Sequence, residues 1–321
     1  MRYRTLGRTD LNVSEVCLGT MTFGWTADEA TSRSIMDAAV DAGINFIDTA
    51  DIYSRWSPNS YAGKTEEIIG RWLKDQPRDR LIVATKVRGP MRDDTDQGLR
   101  RDRIMRCVDE SLRRLQTDYI DLYQTHWPDD DVPLEETLGT FNDLIQAGKV
   151  RAIGCSNTPA ATIRQALEIS RSNGWARYET LQPHYNLVHR DEFEAELRDL
   201  CIEQQLGVIP YSPLAGGFLT GKYRSGQSAP EGTRGAGSDQ IKRYMSNERN
   251  FDLLERLNQI GQAHGKTVAQ TALAWLIDAP GVTSPIIGAN TLKQLNDSLG
   301  AIGFELSSGE GHHVDELSRS V

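Results

Sequence analysis

The chain has 321 residues, 38% of them hydrophobic and 25% charged, and a formal net charge of −9. This composition supports a folded core rather than disorder, and the length allows two domains or one large α/β barrel. The acidic balance argues against nucleic acid and anionic membrane surfaces as partners. No apolar run reaches the ~18 residues of a spanning helix, and residues 1–7 carry no apolar leader stretch. Cys17, Cys107, Cys155 and Cys201 are scattered, with no Cys-x-x-Cys pair. Cys17 and Cys155 lie in apolar strand-like runs and read as buried thiols, and the set as a whole suggests a reducing compartment, so a cytoplasmic location is expected.

In chain order, residues 3–6 and 13–16 flank Gly7-Arg8-Thr9-Asp10, which predicts a β-hairpin plugging the bottom of a barrel. Strand-like runs follow at 15–19, 45–48, 81–85, 119–124, 152–155, 180–183, 208–211 and 284–287. Amphipathic helical patterns at 30–42, 65–74, 101–115, 134–147, 160–172 and 191–205 lie between the first seven. Strand–helix alternation favours a parallel sheet, and eight units favour closure into a (β/α)8 TIM barrel, one domain over residues 1–321. A doubly wound sheet is the alternative, weakened because no Gly-x-Gly-x-x-Gly turn follows an early strand. After the seventh strand the rhythm breaks: residues 221–237 hold five glycines beside Pro230 and read as a long loop. Helical patterns at 253–264 and 268–277 come next. Gly309-Glu310-Gly311-His312-His313 reads as a solvated surface feature rather than a metal tract. No His-x-x-x-His or His-Glu-x-x-His spacing occurs, and no metal site is expected.

Four polar residues fall at or just past the ends of consecutive strand-like runs: Asp48, Tyr53, Lys86 and His126. In a (β/α)8 barrel, strand C-termini converge on one face. A tyrosine hydroxyl, with an ordinary pKa of about 10, is a poor acid–base group at neutral pH, and a nearby ammonium lowers that value. Lys86 can act so on Tyr53, Asp48 can hold Lys86, and His126 can hydrogen-bond a substrate carbonyl. Singly, each has a plainer reading: a helix cap, a loop aromatic, a solvated charge. Together they form a proton donor for a carbonyl that receives hydride from a cofactor, since no side chain supplies hydride.

With these residues in place the chain resembles the aldo-keto reductase superfamily, from residues 18–24 to residues 286–290. Asp48-Thr49-Ala50 with Tyr53 matches the first catalytic segment, and Lys86 and His126 match the remaining catalytic positions. The resemblance implies a nicotinamide cofactor lying across the barrel mouth without a Rossmann domain. Gly154-Cys155-Ser156-Asn157 and the run from Leu181 to Asn186 resemble segments that hold the carboxamide, so Ser156, Asn157 and Gln182 inherit that role, with Thr20, Met21 and Asp48 also at the cofactor. Tyr211-Ser212-Pro213-Leu214 resembles the segment whose tyrosine stacks on nicotinamide and whose following backbone meets pyrophosphate. Residues 216–223, including Gly216 and Lys222, resemble an extension of the bacterial and potassium-channel β-subunit branches that folds over the cofactor. Gly288, Asn290, Gln294 and Ser298 correspond to the adenine end.

At that end the chain departs from its relatives, many of which place basic residues against the 2′-phosphate of NADP. Asn290, Thr291 and Gln294 are neutral and Lys293 is the nearby cation, although a helix N-terminus expected at residues 289–291 also suits an anion. NADP(H) is the expected cofactor and NAD(H) stays open. Trp25, Trp56 and Trp127, with Phe218 and Tyr223, are aromatics on loops expected at the active face. They suit apolar or aromatic carbonyls or stacked sugar rings, or they pack the loops on the rim. Arg55 and Lys64 add cations near the mouth, and the Arg100, Arg101, Arg103, Arg106 cluster reads as a solvated helix face. The expected activity interconverts a small-molecule aldehyde or ketone and its alcohol. The alternatives are an NAD-dependent sugar or alcohol dehydrogenase and a cofactor-sensing regulatory subunit with slow turnover.

Overall fold

The computed structural model describes residues 1–231 and 237–319. A short antiparallel hairpin comes first, β1 (Tyr3–Thr5) with β2 (Asn12–Ser14). The strand–helix series then runs β3 (Cys17–Gly19), α1 (Glu29–Asp41), β4 (Phe46–Asp48), α2 (Lys64–Leu73), β5 (Ile82–Val87), α3 (Arg101–Leu115), β6 (Ile120–Thr125) and α4 (Leu134–Gln146). It continues through β7 (Val150–Ser156), α5 (Ala160–Asn173), β8 (Tyr178–Gln182), α6 (Arg198–Glu203), β9 (Gly207–Val208), α7 (Asp239–Met245), α8 (Glu248–His264), α9 (Val268–Ile277), β10 (Ile286–Gly288), α10 (Leu292–Leu299) and α11 (Ser308–Ser318).

The eight strands from β3 to β10 pair in parallel, in the order β10-β3-β4-β5-β6-β7-β8-β9. The two ends of that row meet. Val208 bridges Val282 in parallel, Ser284 N–H donates to Val208 O at 3.2 Å, and Ile286 N–H donates to Pro210 O at 2.8 Å. The sheet therefore closes into the expected barrel. Every residue of β5 and β6 is buried, as in parallel strands covered on both faces.

The core has two shells. Helices pack on the outside of the strands through side chains such as Ile35, Ile69, Trp72, Val108, Phe141 and Ile163. Inside, Leu6, Leu11 and Val13 of the hairpin segment meet Phe46, Ile82, Leu122, Ala152 and Ile209 and fill the barrel floor. All four cysteines are free and buried, two of them (Cys17 and Cys155) on strands.

Several elements differ from expectation. The 191–205 segment is not one α-helix: a π-helical turn, Phe193–Leu197, precedes α6. Amphipathic periodicity places Phe193 and Leu197 in the core but does not fix the hydrogen-bond register. Within the long loop a kinked 3-10 segment, Ala215–Thr220, comes first and α7 closes it, capped by the Ser238 side chain; residues 232–236 of that loop lie outside the described residues. Helix α8 starts at Glu248 because Asn247 caps it, five residues ahead of the apolar pattern. His312 and His313 lie on α11, started by a capping box between Ser307 and Glu310. Arg103 is not solvated: it is buried and donates to the carbonyls of Gly98, Gly89 and Asp96, pinning the loop before α3. Phe218 and Tyr223 do not line the active face. They stack on each other at 5.8 Å, inside a second apolar cluster with Leu253 and Leu257. Among the described residues no helix is long and apolar enough to cross a membrane.

Candidate active site

Parallel register assembles the barrel mouth. Gly19 lies beside Asp48, Lys86 beside Gln124, and Ser156 beside Gln182, each pair at or near the C-terminal ends of neighbouring strands. Asp48 ends β4, Lys86 is the penultimate residue of β5, and His126 follows β6 directly. Tyr53 returns to the same place through the loop after β4, so all four sequence-predicted residues meet. Lys86 Nζ donates to Asp48 Oδ2 at 2.6 Å, to Thr49 O at 2.8 Å and to Tyr53 Oη at 3.2 Å. The three ammonium hydrogens thus have three acceptors in a buried cage. The other Asp48 oxygen accepts from Gln182 Nε2 at 2.8 Å and from Gln124 Nε2 at 3.5 Å. Gln124 is an addition that no strand-end pattern marks. The period-two alternation of β6 could have found it, since Gln124 shares the inward side with Leu122.

Burial sets the charges. It alone pushes the Lys86 ammonium down, but Asp48, with Tyr53, outweighs it and holds the group above its ordinary value. The Tyr53 hydroxyl differs from expectation: burial raises it, and the opposing pull of Lys86 does not bring it below its ordinary value. In this closed cage Tyr53 is a phenol carrying its proton, the form a proton donor needs. His126 is buried, and burial followed by the charge of Lys86 drives its imidazole well below the ordinary range. The ring is therefore neutral, stacked on Trp127 at 3.9 Å and edge-on to Tyr53 at 6.0 Å, and its Nδ1 has no hydrogen-bond partner among the described residues.

Trp25, Trp56 and Trp127 surround this centre with exposures of 40%, 43% and 38%. Trp56 meets Tyr53 at 5.9 Å and Trp25 at 5.8 Å, both edge to face. A cavity of about 480 Å³ opens beside Trp25, with Lys64 and Asn290 on its walls. Arg55 is turned to Asp94 at 2.5 Å, and Lys64 lies over the Tyr61 ring.

The residues that the resemblance assigns to the cofactor lie at or past the C-terminal ends of the strands, in the loop after β9 and on α10. Thr20 is buried, its hydroxyl donating to Asp48 O at 2.9 Å, and Met21 beside it is exposed. Ser156 Oγ donates to Gln182 O at 2.8 Å. Asn157 has a left-handed backbone (φ 52°) and donates from Nδ2 to His126 O at 3.0 Å, while its Oδ1 accepts from Tyr211 Oη at 2.8 Å. Past the half-buried Tyr211, Ser212, Ala215, Gly216 and Gly217 all have positive φ, with Leu214 packed between the two apolar clusters. A Cβ on Gly217 would sit 3.0 Å from Lys222 Nζ, so a bare backbone and a cation face each other there. A cradle of this kind suits a pyrophosphate. At the far end Thr291 caps α10, Asn290 N–H donates to Gln294 Oε1 at 2.7 Å, and Thr26 Oγ1 bonds Asn290 Oδ1 at 2.9 Å. Gly288 and Lys293 are exposed and Ser298 is buried on α10. The Gly217–Lys222 cradle fits the pyrophosphate of a dinucleotide laid across the mouth.

The comparisons with known proteins agree with this geometry. The sequence profile described as the Aldo/keto reductase family matches residues 15–319. The oxidoreductase YrpG of Bacillus subtilis (strain 168) is 40% identical over 313 residues, covering 95% of this chain and 92% of YrpG. Protein tas of Escherichia coli (strain K12) is 36% identical over 330 residues, covering 96% of this chain and 94% of tas. A versiconal hemiacetal acetate reductase of Aspergillus parasiticus is 32% identical over 342 residues, covering 98% of this chain and 96% of that protein. A barrel whose mouth gathers Asp48, Tyr53, Lys86 and His126, matched along nearly its whole length, belongs to the aldo/keto reductase family and is an oxidoreductase of that family.

Proposed function

We propose that this oxidoreductase interconverts an aldehyde or ketone and its alcohol with NADP(H), Tyr53 serving as the proton donor. When bound, the nicotinamide supplies or accepts the hydride. Tyr53 Oη gives its proton to the carbonyl oxygen, and the ammonium of Lys86 stabilises the phenolate that remains. Asp48 keeps that ammonium charged and aimed. The neutral imidazole of His126 orients the carbonyl by a hydrogen bond. Ser156, Asn157 and Gln182 hold the carboxamide. Trp25, Trp56 and Trp127 bound the space for an apolar or aromatic carbonyl, or for a sugar ring.

The observation that carries this reading is the 3.2 Å bond from Lys86 Nζ to Tyr53 Oη, made while Asp48 neutralises the same ammonium at 2.6 Å. Tyr53→Phe tests it: kcat for a carbonyl panel falls roughly 10²- to 10⁴-fold with cofactor affinity retained. A Phe variant with near wild-type turnover removes Tyr53 from the chemistry.

A second reading, NAD(H), is favoured by the bond between the Asn290 N–H and Gln294 Oε1, both neutral groups. Against it, Lys293 on the first turn of α10 and the helix N-terminus offer positive potential to a 2′-phosphate. Parallel titration by tryptophan fluorescence quenching decides between them. NADPH is expected to bind at least several-fold tighter than NADH. Tighter binding of NADH overturns the NADP(H) assignment.

A further inference from the structure

Against the Tyr211 ring the chain stacks two histidine rings. His184 lies on the extended segment after β8 and bridges Tyr211, whose N–H donates to Pro183 O at 3.0 Å. The His184 and Tyr211 rings stack with centroids 5.1 Å apart and 9° between planes. His189 stacks on His184 in turn, at 3.9 Å and 23°. A tight turn returns His189 to this place: Asn186 N–H donates to His189 O at 3.3 Å, and His189 N–H to Asn186 O at 3.0 Å.

Asn186 also fixes the state of the inner ring. Its Oδ1 accepts from Val188 N–H at 3.0 Å, and its Nδ2 donates to Ser212 O at 3.0 Å. Nδ2 therefore faces His184 Nε2, 3.3 Å away, with its second hydrogen. A nitrogen that receives a donor carries a lone pair, so the His184 ring is neutral with its proton on Nδ1. Burial, with His189 beside it, agrees, pushing this imidazole down to about 4. A neutral, flat ring stacks on Tyr211 without bringing a positive charge toward the mouth.

We propose that His184 and His189 are positioning residues: their stacked rings fix the plane of Tyr211 and thereby the face on which the nicotinamide lies. The inference rests on the reading of Tyr211 as the nicotinamide platform. Tyr211 is held at two places, by its hydroxyl on Asn157 and by its face on His184. Asn157 in turn holds the His126 carbonyl, so the platform and the substrate-orienting imidazole belong to one connected frame. Without the backing ring, Tyr211 can tilt about its hydroxyl anchor and the cofactor loses a flat surface.

The test uses the full chain with His184→Ala, His184→Phe and His189→Ala, titrated with NADPH and NADH and assayed with a carbonyl substrate. The Ala variant at 184 should raise the cofactor Kd and KM about three- to tenfold, the range of one aromatic pair, while kcat at saturating cofactor changes less. The Phe variant should restore the wild-type constants, and His189→Ala should shift them in the same direction by less. If His184→Ala fails to fold, the Phe and His189→Ala variants carry the test alone. Wild-type constants in a folded His184→Ala variant, or a Phe variant that fails to restore them, overturn the proposal. A wild-type protein that binds neither dinucleotide overturns the functional reading and this inference with it. Normal wild-type binding with an indifferent His184→Ala variant overturns this inference alone.

Discussion

Asp51 is fully buried two residues before Tyr53, and neither of its carboxyl oxygens has a partner among the described residues. Burial first, and then the nearby Glu66, push this carboxyl up to about 8, against the weaker pull of Arg103 and Arg114. Glu66 is itself committed to Arg114 at 2.7 Å and to the Thr85 hydroxyl at 2.7 Å, which leaves Asp51 without a counter-ion of its own. Folding therefore raises the Asp51 pKa. Between the ordinary carboxylate value and about 8 the folded chain keeps a proton that the unfolded chain has released. This group's contribution is most favourable below the ordinary value and is lost as pH rises through that window. Urea unfolding at pH 5 and pH 8 should show the wild type losing stability towards pH 8, with Asp51→Asn losing less. An identical difference in the two proteins would mean that Asp51 is solvated. Neither this group nor the net direction of the Tyr53 shift is legible in the run from Asp48 to Tyr53, because depth of burial belongs to the folded packing and not to residue type.

Between elements, a tight backbone approach that a single atom controls is α2 against the end of α3. A Cβ on Gly70 would run into the Arg114 carbonyl and come within 2.9 Å of Leu115 Cα. Backbone on the facing helix cannot swing aside as a side chain does, so Gly70→Ala should destabilise by roughly 1–3 kcal/mol, read from the denaturation midpoint. A neutral effect would show that the helices can separate freely. The same substitution should disturb the Glu66–Arg114 pair, which joins the same two helices. At this scale the sequence is highly legible where apolar periodicity is strong. Arg101–Leu115 and Val268–Ile277 have their expected bounds, and Asp48, Lys86 and His126 stand at the expected strand ends. It is less legible where structure depends on caps and turns. Helix α7 follows a glycine-rich stretch and begins at a serine cap, and the His184–His189 stack depends on a turn whose ring contacts no periodicity encodes.

Over the whole molecule, one end of the barrel is sealed and the other carries the chemistry. Leu6, Leu11 and Val13 fill the floor, and Arg4 donates to the carbonyl of Ile277 at the end of α9 and to those of Val282 and Thr283 in the segment after it. The hairpin is therefore fastened to the last strand–helix units as well as to the interior. Leu6→Ala removes a fully buried side chain from a site that surrounding strands cannot collapse into, and should cost about 2–5 kcal/mol by chemical denaturation. A loss well below that range would mean that the hairpin leaves the floor readily. The eightfold rhythm made the barrel legible, and the paired runs around Gly7 made the plug legible. The second apolar cluster was not, because Phe218 and Tyr223 sit among glycines that read as an open loop. The four buried thiols have a practical consequence. Burial raises all four, and none is reachable by solvent, so the folded wild type should be silent to maleimide dyes. A cysteine introduced at exposed Ser225 would then take the dye alone, giving a single reporter on the long loop after β9 without any native cysteine having to be removed.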